Sequence, residues 1–268
     1  MNKIDRQLKK IQTEKRMGLM THTVLGYPSV DESIRIVKAM VKAGADFIEL
    51  QIPFSDPVAD GPTLMRANKK ALENGMTTEQ AMQIMAGLNK VVDIPLLFMT
   101  YFNIVLQYGV EKFCKNASKF GCSGLIIPDI PLDEEQTEHF IEISEKYGLV
   151  PVRLLSPAST EGRIKKNAKI AQNGFVYFVS KKGTTGASIE LGLDLKENID
   201  KLKKYFNIPI AVGFGISKPE HIHALKGIAD IVVVGSEVTN VYDSAEQGQK
   251  IIYVKNFIKS LTQAVKKD

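Results

Sequence analysis

Leu50-Gln51-Ile52-Pro53-Phe54-Ser55-Asp56-Pro57-Val58-Ala59, entered through Glu49 and left through Asp60, is the stretch around which the chain is organised. Ahead of it, Ala45-Asp46-Phe47-Ile48-Glu49-Leu50 reads as a short buried strand whose apolar run is broken by Glu49. Behind it, Asp60-Gly61-Pro62 closes a loop stiffened by Pro53, Pro57 and Pro62. A carboxylate in a buried strand is costly unless it is paired or put to work. A second carboxylate ends the rigid loop. Two acids in such different settings can differ in pKa and take different proton-transfer roles. The plainer structural reading is a core salt bridge at Glu49 and a turn residue at Asp60.

The 268 residues suit one large α/β domain or two small ones. A hydrophobic content of 44% and a charged content of 24% are those of an ordinary globular protein. No apolar run reaches the ~18 residues of a membrane span, and Met1-Asn2-Lys3-Ile4-Asp5-Arg6 lacks the apolar core of a signal peptide. A cytoplasmic location is therefore expected. Cys114 and Cys122 are too few for a metal site and read as reduced, inert thiols. The net charge of +5 is concentrated at the ends: residues 1–16 and 249–268 together carry +8, which leaves −3 for the middle. Solvated terminal helices explain that pattern better than a nucleic-acid groove does.

Taken in order, residues 4–15 carry an amphipathic helix, 19–25 a strand, and a helix opening at Ser29 or Asp31-Glu32 ends at Gly44. After the second strand and its loop come helices over 63–74 and 78–90, a strand over 95–100 and a helix over 110–120. The second half places strands at 123–128, 149–155, 175–179, 208–213 and 230–234. Helices are expected over 134–147, 160–173, 195–205 and 219–226, and one long helix finishes the chain near Ala264. Eight apolar strands alternating with helices, with no linker between them, predict a parallel sheet covered by helices on its outside. The length suits a closed (β/α)8 barrel forming a single domain over residues 1–268, with an extra N-terminal helix.

In such a barrel the loops leaving the C-terminal ends of the strands build the active site. Glu49 and Asp60 both obey that rule. Gly213-Phe214-Gly215-Ile216-Ser217 and Gly235-Ser236 end strands seven and eight, where a phosphate site is expected. Their glycines let backbone N–H groups approach an anion, and Ser236 adds a hydroxyl; tight strand-to-helix turns are the competing reading. The polar loop over 181–188 has the composition of a mobile lid or of an ordinary surface loop. Lys181 and Lys182 follow Ser180 in that polar loop rather than sitting in an apolar strand, which argues against a Schiff base. His139, His221 and His223 fall on helices, and no histidine–carboxylate set has metal-ligand spacing.

Several stretches together carry a family resemblance: Ala45 to Leu50, Pro53-Phe54-Ser55-Asp56-Pro57-Val58-Ala59-Asp60-Gly61-Pro62, Tyr101-Phe102-Asn103, Pro128-Asp129-Ile130-Pro131, Gly183-Thr184-Thr185-Gly186 and Gly213-Phe214-Gly215-Ile216-Ser217. Over essentially its whole length the chain resembles the tryptophan synthase alpha subunits, and the Pro-Phe-Ser-Asp-Pro-x-Ala-Asp-Gly-Pro loop is highly specific to them. The resemblance implies a lyase that cleaves indole-3-glycerol phosphate to indole and glyceraldehyde 3-phosphate. It implies no cofactor in this chain and a pyridoxal-phosphate-containing beta subunit as partner in an alpha2beta2 heterotetramer. By the same resemblance Glu49 is acid and then base at the reacting carbons, and Asp60 accepts the indole N–H. His22, Tyr101, Leu155 and Tyr177 fall at substrate-pocket positions, with Thr185 in the lid. Gly186, Phe214, Gly215, Gly235 and Ser236 fall at phosphate-binding positions.

Four positions depart from the family pattern: Gln51 stands for a glycine, His22 for an apolar or aromatic residue, Arg153 for an apolar one, and Ile104 for a proline. Arg153 shares a strand parity with Leu155 and is therefore expected to point into the barrel towards Glu49. Two rival readings are a stand-alone lyase releasing free indole and a weakly catalytic homologue that mainly activates a partner. Retention of both Glu49 and Asp60 weighs against the second.

Overall fold

A computed structural model describes residues 2–130, 138–179, 190–213 and 215–266. Eight strands close into a barrel in sequence order: β1 (Gly18–Val24), β2 (Phe47–Gln51), β3 (Leu96–Met99), β4 (Gly124–Ile126), β5 (Val150–Leu155), β6 (Val176–Val179), β7 (Ile210–Gly213) and β8 (Ile231–Val234). Every neighbouring pair is parallel, including the closing pair β1–β8. The expected (β/α)8 barrel is the observed fold.

Twelve helices lie among the described residues: α1 (Lys3–Thr13), α2 (Val30–Lys42), α3 (Pro62–Glu73), α4 (Thr78–Asn89), α5 (Phe102–Tyr108), α6 (Val110–Lys119), α7 (Phe140–Lys146), α8 (Glu161–Ile170), α9 (Glu190–Lys203), α10 (Pro219–His223), α11 (Ser236–Ser244) and α12 (Lys250–Val265). Local chemistry sets several starts. Ser29 accepts the Glu32 N–H, and Thr77 with Gln80 forms a reciprocal capping box. Two details differ from the sequence reading, and a third falls partly outside the described residues. The final helix is two, α11 and α12, separated by residues 245–249 with Gly248 at φ +86°. Helix α5 was not anticipated; its first N–H is capped by Asp129, whose Oδ1 accepts from Phe102 N at 2.8 Å. Only the last part of the helix expected over 134–147 lies within the described residues.

Each strand buries both faces, and alternation sorts its side chains into two layers. The inner layer holds Met20, Phe47, Leu97, Met99, Ile126, Val150, Val152, Phe175, Ala211, Ile231 and Val233. The outer layer packs the opposite parity, such as Leu19, Ile48, Leu50, Phe98, Val212 and Val234, against the helices. Cys114 and Cys122 are free, buried thiols, and burial pushes the Cys122 thiol up to about 12.

The N-terminal end of the barrel is closed by α1. Ile4 and Ile11 belong to the inner layer, and glycines admit them. A Cβ on Gly18 would lie 2.9 Å from Ile11 Cδ1, and one on Gly124 would lie 2.9 Å from Ile4 Cδ1. Polar ties fix the helix in place. Asn2 caps it and donates to Ser123 O at 2.9 Å and Gly148 O at 2.7 Å. The buried Asp46 carboxylate accepts Gln7 Nε2 at 2.6 Å, both Arg16 terminal nitrogens at 2.7 and 2.8 Å, and Leu19 N at 2.9 Å. Full donor satisfaction is what makes a buried carboxylate tolerable there. Because Ile4 is fully buried and its glycine neighbour cannot refill the space, Ile4→Ala should cost about 2–5 kcal/mol. Chemical denaturation checks this; a loss below about 1 kcal/mol would mean that α1 does not seal the barrel.

Candidate active site

At the opposite end of the barrel the inner layer turns polar. Strand β2 carries Phe47, Glu49 and Gln51 on its inward parity, so the strand runs from the apolar floor to the polar mouth. In register, Glu49 sits between His22 of β1 and Leu97 of β3. His22, Glu49 and Gln51 are all buried, Glu49 at 3% exposure, so their polar atoms must find partners within the protein.

They find one another. His22 Nδ1 lies 3.4 Å from Glu49 Oε2, and His22 Nε2 lies 2.9 Å from Gln51 Oε1. Gln51 Nε2 donates to Asp60 Oδ2 at 2.6 Å. The two acids named at the outset are therefore joined by a continuous polar path through His22 and Gln51. Burial pulls the His22 imidazole down, but Glu49, with Asp60 and Gln51 adding, makes the net shift upward. Burial pushes the Asp60 carboxyl up, against the pull of the Gln51 donor and of His22.

Asp60 rides on a loop, and three elements hold that loop. Asn68 of α3 donates to Asp60 Oδ2 at 3.2 Å and accepts the Phe54 N–H at 3.0 Å. The Tyr101 hydroxyl accepts the Ala59 N–H at 3.1 Å, hydrogen-bonds Asp60, and its ring stacks on Phe54 with centroids 5.2 Å apart. Gln51 supplies the third tie. Burial and the Asp60 charge push the Tyr101 phenol above its usual range.

Tyr177 faces the same interior from β6, where it pairs with Leu154 and Ala211. Burial and the charges of Glu49 and Asp60 raise its phenol well above 10. Its ring lies where a side chain on Gly213 would be: a Cβ there would come within 2.9 Å of Tyr177 Cε2. Gly213, read from the sequence as part of an anion turn, thus makes room for Tyr177.

The expectation for Arg153 and Leu155 is corrected. Leu155 belongs to the outer layer; from β5 the inner layer takes Val150 and Val152, with Leu154 packed against it. Register explains why: Leu154 pairs with the inward Tyr177, whereas Arg153 pairs with the outward Val176. Arg153 accordingly faces α8, where its Nε donates to Asn167 Oδ1 at 2.8 Å. Asn167 in turn donates to Arg163 O at 2.8 Å. The structure brings together Glu49, Asp60, His22, Tyr101 and Tyr177, and places Leu155 outside that group.

Asn68 was missed. Its signal was present: it occupies a buried helical stripe with Leu64, Ala67 and Ala71, where a polar residue needs a reason. At the phosphate end, Gly215 has φ +61°, a left-handed conformation suited to glycine. Gly235 caps α11, and a Cβ there would meet nothing within 4 Å, so the space beside its backbone is open. Thr185, Gly186 and Phe214, with Lys181 and Lys182, lie outside the described residues. Among the described residues no cluster of three His, Cys, Asp or Glu side chains could hold a metal ion.

Comparison with known proteins joins this geometry to a family. The family model described as tryptophan synthase alpha chain matches residues 8–266. The tryptophan synthase alpha chain of Syntrophotalea carbinolica is 40% identical over 248 residues, covering 92% of this chain and 95% of that protein. A longer yeast protein from Saccharomyces cerevisiae, named tryptophan synthase, is 37% identical over 94% of this chain, which spans 36% of its length. The crystal structure of tryptophan synthase subunit alpha from Legionella pneumophila superposes with a TM-score of 0.90 at 29% identity, covering 99% of this chain and 98% of that one. With its barrel and nearly its full length matched, the chain belongs to the tryptophan synthase alpha chain family.

Proposed function

We propose that the chain is the lyase its family membership implies, cleaving indole-3-glycerol phosphate to indole and glyceraldehyde 3-phosphate. The observation that carries this reading is the placement of Glu49 and Asp60 in one polar mouth, one rigid on a strand and the other held on a three-point loop. The reaction needs a proton delivered to indole C3 and a proton removed from the adjoining side-chain hydroxyl. Glu49 does both in turn: its carboxylic acid protonates C3, and the resulting carboxylate takes the hydroxyl proton. The C3–carbon bond then breaks, its electron pair restores the indole ring, and the hydroxyl carbon becomes the aldehyde. Protonation at C3 places positive charge on the ring nitrogen, and Asp60 accepts that N–H and stabilises the charge. Tyr101 and Tyr177 form walls of the indole pocket, with His22 beside Glu49.

The phosphate group is assigned to the backbone at Gly215 and Gly235 with the Ser236 hydroxyl, completed by Phe214 and Gly186. The open space beside Gly235 and the start of α11 support that assignment. By the family resemblance Thr185 is assigned to the substrate-covering loop, outside the described residues. No cofactor is needed for these steps in this chain.

An alpha chain implies a beta-subunit partner, and an alpha2beta2 assembly in which the beta subunit carries pyridoxal phosphate is the reading we adopt. Val58, 82% exposed on the Asp60 loop, and the exposed Leu106 of α5 offer apolar contacts near the mouth of the barrel. No described helix is long and apolar enough to cross a membrane, and a cytoplasmic location suits a biosynthetic lyase.

An indole-release assay on the purified chain, with and without a beta subunit, tests the whole reading. Indole formation that rises strongly with the partner supports the synthase assignment; equal rates favour a stand-alone lyase, and none in either case refutes the activity. Glu49→Gln keeps shape but cannot shuttle a proton, so kcat should fall at least ~10²-fold with an unchanged circular dichroism spectrum. A variant retaining about a tenth of the wild-type kcat would remove Glu49 from the acid–base role. Ser236→Asp sets a like charge against the phosphate, so KM should rise about tenfold or more with little change in Tm. An unchanged KM would place the phosphate elsewhere.

A further inference from the structure

Two side chains outside the family pattern, His22 and Gln51, occupy the space between the two site acids. Their hydrogen-bonding capacity leaves little freedom. Asp60 as a carboxylate only accepts, so the Gln51 atom facing it at 2.6 Å is the amide nitrogen, and the amide oxygen then faces His22. An amide oxygen cannot donate, so His22 Nε2 carries a hydrogen. The Nδ1 atom is left opposite Glu49 Oε2 at 3.4 Å. One proton suffices for that contact: on Glu49 it points at a neutral Nδ1, and on Nδ1 it points at a carboxylate. Two protons would set donor against donor, and none would set lone pair against lone pair.

The geometry points to His22 as a positioning residue that shares one proton with Glu49, with Gln51 fixing its tautomer, so that His22 sets the pH range over which Glu49 works. The inference rests on the acid–base role assigned to Glu49 above, and it goes further by making the glutamate one half of a pair. Transfer within the pair moves the proton from Nδ1 to Oε2 with no change in total charge. The proton given to the substrate leaves the pair with none, and the proton taken from the hydroxyl restores it.

Among the described residues the titratable groups around the pair are Asp60, reached through Gln51, the Tyr101 phenol beside Asp60, and the Tyr177 phenol beside both acids. From β8 the last inward side chain is the apolar Val233, level with Met20 below His22. Glu49 therefore supplies the chief charge acting on the imidazole. The sign follows: burial is the largest single effect on His22 and lowers it, but Glu49, with Asp60 and Gln51 adding, holds it above its ordinary 6.5, so the pair keeps its proton into higher pH than a lone buried histidine would. Once the Glu49 charge is removed, burial dominates and the midpoint falls.

Nitrogen-15 histidine NMR on the full chain tests the shared proton without any substrate. His22, assigned by its loss in His22→Phe, should keep hydrogen on Nε2 at all pH and titrate above 6.5. In Glu49→Gln its midpoint should drop by at least about one unit. Equal midpoints in wild type and Glu49→Gln, or a neutral His22 with hydrogen on Nδ1 alone, would overturn the proposal. The second arm is the pH dependence of kcat for indole release. In His22→Phe one limb should move by at least about one pH unit, whereas a purely structural loss would scale kcat equally at every pH. Gln51→Leu, which keeps His22 beside Glu49 but frees its tautomer, serves if His22→Phe fails to fold, and should shift the same limb in the same direction. Normalised profiles that superpose with wild type would overturn the role in turnover. If wild type releases no indole, the lyase reading fails while the NMR arm still decides the shared proton.

Discussion

A carboxylate inside a barrel is the constraint from which the rest of the mouth follows. Glu49 points inward because β2 alternates and Phe47, two residues earlier, must point inward to fill the floor. Once there, it requires a donor, and the cross-strand neighbour at the same level is His22. His22 requires a partner for its second nitrogen, and Gln51, one step up the Glu49 face, supplies it. The amide that satisfies His22 has its nitrogen left over, and that nitrogen reaches Asp60. Each link exists because the previous one would otherwise bury an unsatisfied polar group.

The floor and the mouth are made by opposite means. At the floor, Gly18 and Gly124 remove side chains so that Ile4 and Ile11 of α1 can enter, and the buried carboxylate there, Asp46, is saturated by Gln7, Arg16 and a backbone N–H. At the mouth the inner layer carries groups that can still exchange protons. About 13 Å of strand separates Phe47 from Gln51, four residue steps with Glu49 midway, so the transition from sealed core to polar mouth takes place within a single strand.

What could be read from the sequence follows the same division. Glu49 was legible because a charge in an apolar strand stands out, and the eight-fold alternation was legible because each strand is an apolar run between turn signals. Strand β5 was not. Val150-Pro151-Val152-Arg153-Leu154-Leu155 is apolar on both parities save for Arg153, since both faces are buried, and no alternation says which face is inward. Only register against Tyr177 of β6 settles it, and register is a property of two strands. The His22–Glu49 contact escaped for the same reason: parity placed Gln51 beside Glu49, but the level of His22 depends on how β1 slides against β2. Helix α5 was missed because its N-terminal cap, Asp129, lies 27 residues downstream.

Asp60 shows how a loop can hold an acid as firmly as a strand does. The loop's prolines limit its conformations before folding, and its remaining freedom is removed by ties from three elements: Gln51 of β2, Tyr101 at the end of β3, and Asn68 of α3. Those elements follow one another along the chain with only α4 intervening, so the packing of the second β/α unit against the third is what positions Asp60. Asn68 does this from the buried stripe of its helix, where Ala67 and Ala71 let α3 lie close to the barrel. A carboxylate placed by three independent contacts keeps its position relative to Glu49 even though Val58, two residues before it, is open to solvent. Within a few residues the loop thus passes from the solvent-open Val58 to a carboxylate held by three contacts, so exposure and fixity are separated along one short segment.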